Sequence, residues 1–460
     1  MDATTGAEAR TKMLGSGTIG QVIMRMSMPS IISMVGVGVF YLADAAFISR
    51  LGTTHLGAIS VSFPLFAVVG GIGQAFGTGA ASLISRFLGA GDRESAQRVA
   101  SSVFFTTLIT GAIVAGVVVA MLEPLLRLIG ASEAVLPLAI QYSRIIVAAN
   151  VLTMLNITMA SIVRAEGNAR LSMASVLLSS GLNIILDPLL IFTAGFGLEG
   201  AAAATLIAQC ASFVLLSTTF YRKRHQCKIS VRLWRKGLRY IPSVLRIGAA
   251  SFFLQFLGSS ALAVTNKMAL AFGDHAVAAV GLTFRFLALG MYPVYGFTVG
   301  FQPVVGYSYG AKNFDRLMKA LRTAVFWTLS FSLVFSAALV IWARPVVGRF
   351  SGDAEVVATG ARMLRAVAFF FPLFNMQIVM AVFFQALGRG VSAALIILSR
   401  QALFFYPAIL VLPRFIGLDG VIYSQPVADV LTATLASVLT IFVLRGLGIE
   451  RSSLLTNEQP

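Results

Sequence analysis

Two aspartates stand in stretches of the chain that are otherwise apolar. Asp44 lies in "YLADAAFISRLG" (residues 41–52), and Asp187 lies in "GLNIILDPLL" (residues 181–190). Asn183 precedes Asp187 by four residues, so the two share one face of a helix. A charged side chain at the centre of a membrane helix costs about 2.5–3.5 kcal/mol on insertion scales, and such residues usually mark a functional site.

Two carboxylates in a poorly hydrated site can bind a cation. They share a proton because double ionisation is disfavoured, and they titrate as one unit. Alternatively they bind Na⁺ together with amide and hydroxyl oxygens. At 1.5 Å per residue, Asp44, Asp187, Tyr142 and Thr205 all fall roughly 9–10 Å from the same membrane face, with Asn183 one turn deeper. A structural hydrogen-bond network between helices is the competing interpretation of this cluster.

The elements that must position these residues are membrane helices. The chain has 460 residues, of which 57% are hydrophobic and only 12% are charged. Apolar runs long enough to cross a bilayer recur along it. We predict an all-α polytopic membrane protein with twelve spans, at about 20–47, 55–84, 99–120, 136–161, 171–194, 199–220, 242–269, 276–307, 320–342, 358–386, 392–413 and 419–443.

The formal net charge of +17 is distributed as in a membrane protein rather than a nucleic-acid-binding protein. The segment 222–239 alone holds eight Lys and Arg residues and no acid. This positive-inside bias predicts cytoplasmic N- and C-termini and a multi-pass location in the inner (plasma) membrane. A lipid-binding role for 222–239 is the alternative to a connector that sets topology.

The chain also repeats itself at a constant offset, the one that carries Gly52 onto Gly273. Glycine, alanine and phenylalanine positions recur at that offset. Examples are Gly52 with Gly273, Phe63 with Phe284, Phe76 with Phe297, Gly79 with Gly300 and Gly89 with Gly310. Because each half holds an even number of spans, the repeat is parallel, about an axis along the membrane normal. We therefore expect two six-helix lobes related by a pseudo-two-fold axis: an N-lobe at 1–221, a basic connecting loop at 222–241 and a C-lobe at 242–460.

Several motifs together resemble one family. They are "LADAAFISRLG", "GTGAASLISRFLGAGDRESA", "IVRAEGNAR", "LDPLLIFTAGFGLEGAAAAT", "GFQPVVGYSYGAKNFDR", "FQALGRG" and "GLDGVIYSQPVAD". The chain resembles the multidrug and toxic compound extrusion (MATE) transporters over about residues 15–445, and their DinF-like branch in particular. The resemblance implies an outward-open V shape and antiport of organic cations or amphipathic drugs against H⁺ or Na⁺. It also implies a cation-coupling site at Asp44, Asp187, Asn183, Thr205 and Tyr142, with Na⁺ as an alternative ligand of the first four.

The C-half lacks a matching acidic pair, which departs from the pattern of NorM-type members. At the offset of the repeat Asp44 meets Thr265, and Asp187 meets Ala408, or Pro407 if the offset is shortened by one position. Asp429 is the one acid well inside a C-half span, and a structural polar contact explains it as well as a function does. Arg285 is expected to have a counter-charge or carbonyl partner. Candidate substrate-cavity residues are Met34, Asn156, Met173, Gln255 and Arg285.

The sequence predicts a monomeric secondary transporter, not an enzyme, with no cofactor, in contact with membrane lipids and with no nucleic acid. A flippase for lipid-linked or amphipathic metabolites is the alternative, and it needs a cavity ringed by basic residues. A membrane enzyme needs clustered His, Asp or Ser, and His55, His225 and His275 stand apart without metal-ligand spacing. The two cysteines, Cys210 and Cys227, indicate no disulfide framework.

Overall fold

The computed structural model describes residues 3–221 and 227–446 as an all-helical chain, with no strand in those ranges. Twelve helical stretches are long and apolar enough to cross a membrane, which confirms the predicted number of spans. The helices are α1 (Ala3–Gly15), α2 (Ile19–Ser49), α3 (Thr53–Gly89), α4 (Arg93–Ala120), α5 (Leu122–Ile129), α6 (Leu136–Ala165), α7 (Ala169–Pro188), α8 (Gly197–Tyr221), α9 (Val231–Gly237), α10 (Ile241–Leu270), α11 (Asp274–Gly310), α12 (Phe314–Gly348), α13 (Ala354–Ala386), α14 (Gly390–Leu398), α15 (Tyr406–Ile416) and α16 (Leu418–Gly446).

Three short helices were not predicted from hydropathy. The first, α1, precedes the first span; α5 lies between the third and fourth spans; and α9 lies within the basic connecting segment. The helices α1 and α9 are too polar to span a membrane, and α5 is too short, so a search for apolar runs passes over them. Residues 222–226 of the connecting segment lie outside the described ranges, and the exact lobe boundaries stay a prediction.

Two spans contain a π-helical turn next to a proline. In the fifth span, Leu189–Thr193 continues α7 directly after Pro188. In the eleventh span, Ser399–Phe405 joins α14 to α15, just before Pro407. Proline has no backbone N–H to donate to the preceding turn, so the helix must change its hydrogen-bond pattern there. A π-turn also rotates the residues that follow it relative to a continuous α-helix.

The two-fold relation is visible where α3 and α11 cross. A Cβ atom on Gly89 would lie 2.1 Å from the carbonyl oxygen of Tyr307, and one on Gly310 would lie 2.0 Å from that of Arg86. The two pairs exchange under the offset of the repeat, which carries position 89 onto 310 and position 86 onto 307. Only glycine permits this close backbone approach on both sides of the axis. The sequence repeat therefore corresponds to a structural two-fold.

The halves are joined at the end of the bundle where α2 and α10 begin, here termed the basic end. Ser27 Oγ of α2 donates to the carbonyl oxygen of Phe297 in α11 at 2.9 Å. In the same region Ser82 Oγ of α3 donates to the carbonyl oxygen of Gln385 in α13 at 2.5 Å, and Gln385 Nε2 donates to Ser251 Oγ of α10 at 3.0 Å. These contacts hold α2 and α3 against the second half.

Toward the opposite end, the same helices present exposed side chains. Tyr41 and Leu42 of α2 are 53% and 58% exposed, and Phe256 of α10 and Leu289 of α11 are 45% and 54% exposed. The contacts between the halves described above all lie toward the basic end. The space between them, bordered by α2, α3, α10 and α11, is here called the cleft.

Helix α1 is tied across the two halves. Arg316, in the first turn of α12, donates to the carbonyl oxygens of Leu14 at 3.0 Å, Ser16 at 3.1 Å and Gly17 at 2.9 Å. These carbonyls belong to the last turn of α1 and the residues just beyond it, which have no intrahelical partners. The contact adds a further link between the halves at the basic end.

We predict that Gly248→Val destabilises the closed basic end. A Cβ at this position of α10 would lie 1.9 Å from the carbonyl oxygen of Ala75 in α3, so the two helices must separate. Overpacking of this kind costs about 1–3 kcal/mol. Heating a fluorescent-protein fusion in detergent, followed by size-exclusion chromatography, should show a lower melting temperature than wild type.

Gly258→Val is the matched control, because it lies in the same helix with no atom within 4 Å of a built Cβ. It should melt close to wild type. Equal melting temperatures for the two variants would contradict the close packing of α10 on α3.

Candidate functional site

Asn183 links the second aspartate of the predicted cluster to the sixth span. In the amide orientation that satisfies both ends of the side chain, its nitrogen donates to Asp187 Oδ2 at 2.8 Å. Its oxygen then accepts from the Thr205 backbone N–H at 3.0 Å and lies 3.0 Å from Thr205 Oγ1. Asp187 and Asn183 are both buried. This short chain of contacts joins α7 to α8.

Asp44 and Tyr142 complete the cluster from α2 and α6. Asp44 is close enough to Asp187 for the two carboxylates to interact electrostatically, and both interact with Tyr142. The Tyr142 side chain is buried, and its ring packs edge-on to Phe66 of α3 at 6.1 Å between centroids. Asp44 itself is only partly buried. The structure thus brings together all five residues predicted for the cation-coupling site, while their function stays a prediction.

The approach of α8 to α7 depends on a glycine. A Cβ on Gly200 would lie 2.6 Å from the carbonyl oxygen of Leu190, so no larger residue fits without moving the helices apart. Leu190 belongs to the π-turn after Pro188, and Thr205 lies little more than one turn beyond Gly200. This close packing is what sets Thr205 against Asn183.

A buried ion pair occupies the second half. Arg400 Nε donates to Asp429 Oδ1 at 2.7 Å, and their side chains are 11% and 3% exposed. Arg400 also donates to Gln425 Oε1 at 3.2 Å, and its guanidinium lies 4.5 Å from the ring centroid of Phe374. Gln377 Nε2 donates to the backbone oxygen of Asp429 at 2.7 Å. The structure therefore places Asp429 in a neutralised polar contact between α13, the π-turn and α16.

Sequence reasoning missed Arg400 as the partner of Asp429. A comparison of depth offers the signal, because the eleventh and twelfth spans form a hairpin whose facing ends are Ile416 and Leu418. Arg400 lies roughly four helical turns from the first of these ends, and Asp429 lies roughly three turns from the second. The remaining difference in depth between Arg400 and Asp429 depends on helix geometry, which the π-turn at Ser399–Phe405 alters locally.

The candidate cavity residues do not form one group. Asn156 is buried, and its Nδ2 donates to the Gln209 backbone oxygen at 3.0 Å and to Gln209 Oε1 at 2.8 Å, inside the first half. Met34 and Met173 are partly buried, and Gln255 and Arg285 are exposed. Among residues 3–221 and 227–446, no hydrogen bond or ion pair involves Arg285, so the partner expected for it is not found there.

Comparison with known proteins identifies the family. The MatE family model matches residues 29–189 and 250–409, two segments whose starts are separated by the offset of the sequence repeat. The chain therefore belongs to the MatE family of MATE transporters. This result confirms both the resemblance and the repeat inferred from the sequence.

Relatives and solved structures match along nearly the whole chain. It is 27% identical over 426 residues to the multidrug export protein MepA of Staphylococcus aureus strain MSSA476, covering 92% of this chain and 94% of MepA. It superposes with a TM-score of 0.90 and 27% identity on the outward-facing conformation of a multidrug resistance MATE family transporter, covering 96% and 99% of the two chains. A mutant of the Vibrio cholerae MATE transporter VcmN gives a TM-score of 0.87 at 26% identity, covering 98% and 100%.

We predict that Asp429→Asn lowers stability but leaves cation coupling intact. Losing the carboxylate leaves the Arg400 charge buried without its counter-ion, which costs roughly 3–5 kcal/mol. Thermal unfolding in detergent should show the loss, and transport normalised to folded protein should still respond to the ion gradient.

The double variant Arg400→Met with Asp429→Leu is the control, because replacing a buried pair by apolar residues is often neutral. It should recover most of the lost stability. If Asp429→Asn abolishes coupling in well-folded protein, the ion pair has a transport role that its geometry does not suggest.

Proposed function

We propose that this chain is a secondary active multidrug efflux transporter that exports organic cations and amphipathic drugs by antiport with H⁺ or Na⁺. The observation that carries the proposal is the cluster of two carboxylates, an amide and two hydroxyls within the first half. Curated relatives are named multidrug export proteins, which supports a small-molecule substrate. The basic connecting segment favours a plasma-membrane location with the basic end in the cytoplasm.

The coupling mechanism follows from competition for one negative charge. With a shared proton or a bound Na⁺, the Asp44–Asp187 pair is less negative and attracts an organic cation weakly. When the pair is ionised, a cationic drug in the cleft is attracted to the partly buried Asp44. Coupling ion and drug therefore weaken each other's binding by the same factor. Alternate loading and release across the membrane would make efflux depend on the ion gradient.

The donor set of the cluster suits a proton or a monovalent cation. Carboxylate, amide and hydroxyl oxygens are hard ligands for Na⁺, and the two acids can instead hold one proton between them. In the described residues, no group of three or more His, Cys, Asp or Glu side chains could hold a metal ion. A divalent coupling ion is therefore a poorer fit than H⁺ or Na⁺.

A lipid flippase is the alternative function, and the distribution of basic residues argues against it. Binding a lipid phosphate favours several arginines or lysines around a cavity. Two arginines within the spans are exposed, Arg285 on α11 and Arg144 on α6. Two isolated cations on different helices do not form a ring.

We predict that Asp44→Asn and Asp187→Asn each abolish ion-coupled efflux while the protein still folds, because each removes the negative charge for which ion and drug compete. The measurement is drug efflux from proteoliposomes, driven separately by a proton gradient and by a sodium gradient. Asp274→Asn, in the first turn of α11, is a matched control and should behave as wild type. Undiminished coupling in either cluster variant would place the coupling site elsewhere.

We also predict that the affinity for a cationic drug rises with pH. Proton loading of the cluster opposes drug binding, so deprotonation at higher pH strengthens it. Binding to purified protein should release protons into weakly buffered solution, and Asp44→Asn should reduce that release. If Na⁺ is the coupling ion, affinity falls with added Na⁺ but not with added choline. An affinity independent of both would refute the exchange mechanism.

A further inference from the structure

We propose that the outer surface of α9 binds the headgroups of anionic phospholipids in the membrane leaflet at the basic end. This binding is separate from the transport function proposed above, and it does not depend on the substrate or the coupling ion. It is inferred from how α9 is fixed to α4, from the arrangement of side chains around α9 and from the acids near it.

The segment that carries α9 is fixed to α4. Ser101 Oγ donates to the carbonyl oxygen of Lys228 at 3.0 Å and accepts from the Ser230 N–H at 3.1 Å. A Cβ atom on Gly237 would lie 2.2 Å from the carbonyl oxygen of Arg98, so the two helices touch at this glycine. The side of α9 that carries Gly237 therefore faces α4, and the direction of its other side chains follows from this contact.

The position of α9 along the bundle corresponds to the headgroup region of a bilayer. Helix α10 begins at Ile241, shortly after α9 ends, and contains 30 residues. At 1.5 Å per residue it is about 45 Å long, which is the thickness of a bilayer with its headgroups. Trp234 of α9 packs on Phe105 of α4 with 5.7 Å between ring centroids, and tryptophan is enriched at the membrane interface.

The basic side chains of this segment lie opposite its contact with α4. At about 100° per residue, they fall within an arc of roughly 100° that is centred opposite Gly237. These residues are Arg232, Arg235, Lys236 and Arg239, and all four are exposed. Arg239 lies just beyond α9, where its guanidinium is also 4.9 Å from the ring centroid of Tyr240. The segment therefore presents a continuous basic face on its outer side.

Exposed apolar side chains border this basic face. Val231 and Leu238 are 62% and 43% exposed, and their spacing of seven residues puts them on one side of the helix, between the basic face and Trp234. A basic face beside an apolar one is typical of a helix that lies in the membrane interface. A soluble anion would leave Val231 and Leu238 in water, whereas a phospholipid offers a phosphate to the basic face and acyl chains to the apolar side.

Nearby acids do not neutralise the positive charge of α9. Residues 227–240 contain no acid. At the start of α4, Asp92 accepts from the Ser95 N–H at 2.9 Å, and Glu94 pairs with Arg98. Among residues 3–221 and 227–446, no ion pair or side-chain hydrogen bond involves the basic residues of α9. Arginine binds phosphate through two parallel hydrogen bonds, and each basic side chain at an anionic membrane surface adds to the attraction.

The test reads lipid contact at α9 itself through Trp234. The chain has three tryptophans, and the full-length protein with Trp327→Phe and Trp342→Phe retains only this one. The two replaced side chains are exposed on α12. The protein is reconstituted in phosphatidylcholine vesicles with a minor fraction of phosphatidylglycerol. Brominated acyl chains, which quench tryptophan fluorescence on contact, are carried by one lipid or the other at equal bromine content. Quenching should show a preference for phosphatidylglycerol of roughly tenfold.

Removing the positive charges of α9 should remove this preference. With Arg232→Gln, Arg235→Gln and Lys236→Gln combined, the two brominated lipids should quench almost equally. Arg232→Lys with Arg235→Lys should retain most of the preference, because the charges remain. Size-exclusion chromatography confirms that each variant is folded before reconstitution.

The matched control combines Arg170→Gln, Lys312→Gln and Lys319→Gln, which removes three exposed positive charges elsewhere at the basic end. It should retain the preference. Equal quenching by the two lipids in the parent protein overturns the proposal and leaves the basic segment as a connector that sets topology. The proposal is also overturned if the α9 triple variant keeps the preference, or if the control loses it equally, because net charge rather than α9 then attracts the lipid. None of these outcomes depends on drug efflux, which is measured separately.

Discussion

The low polarity of the membrane interior is the constraint on which the rest of this structure depends. A charge or an unpaired polar group within a span is costly, so partners from other helices must satisfy it. Asn183 satisfies this requirement by bridging Asp187 and Thr205, and Arg400 does so by pairing with Asp429. A charge within a span that lacks such a partner is therefore a candidate for binding an ion or a substrate. Asp44, in contrast, is only partly buried, and in the proposed function it is the charge open to an ion or a substrate.

The backbone is nearly symmetric while the polar chemistry is not. Gly89 and Gly310 allow α3 and α11 to cross in the same way on both sides of the two-fold axis. In contrast, the first half places two carboxylates together and the second half neutralises its acid with an arginine. The internal repeat therefore gives the two halves a common architecture, and a few polar residues make them chemically different. In the proposed function, this asymmetry confines cation coupling to the first half.

The contacts that join the two halves are concentrated at the basic end. Serine and glutamine contacts, close glycine packing and the Arg316 link to α1 hold the halves together at one end. Toward the other end, side chains of α2, α10 and α11 are exposed. A transporter must break the first set of contacts to open toward the basic end. In the proposed function, loading of an ion or a drug shifts the balance between two conformations only by the difference in its binding free energy to each.

Local features of the sequence determined most of the architecture. Hydropathy depends on neighbouring residues alone, so it predicts the twelve spans and with them the shared depth of Asp44, Tyr142, Asp187 and Thr205, with Asn183 one turn deeper. The repeat could be predicted from residue types that recur at a constant offset. Tertiary structure decided which side chains at one depth meet. Arg400 reaches Asp429 beside a π-turn, and Asn156 turns to Gln209 inside the first half rather than to the cleft. Depth is a property of position along one helix, whereas contact depends on the rotation and packing of several helices, which no single stretch of sequence encodes.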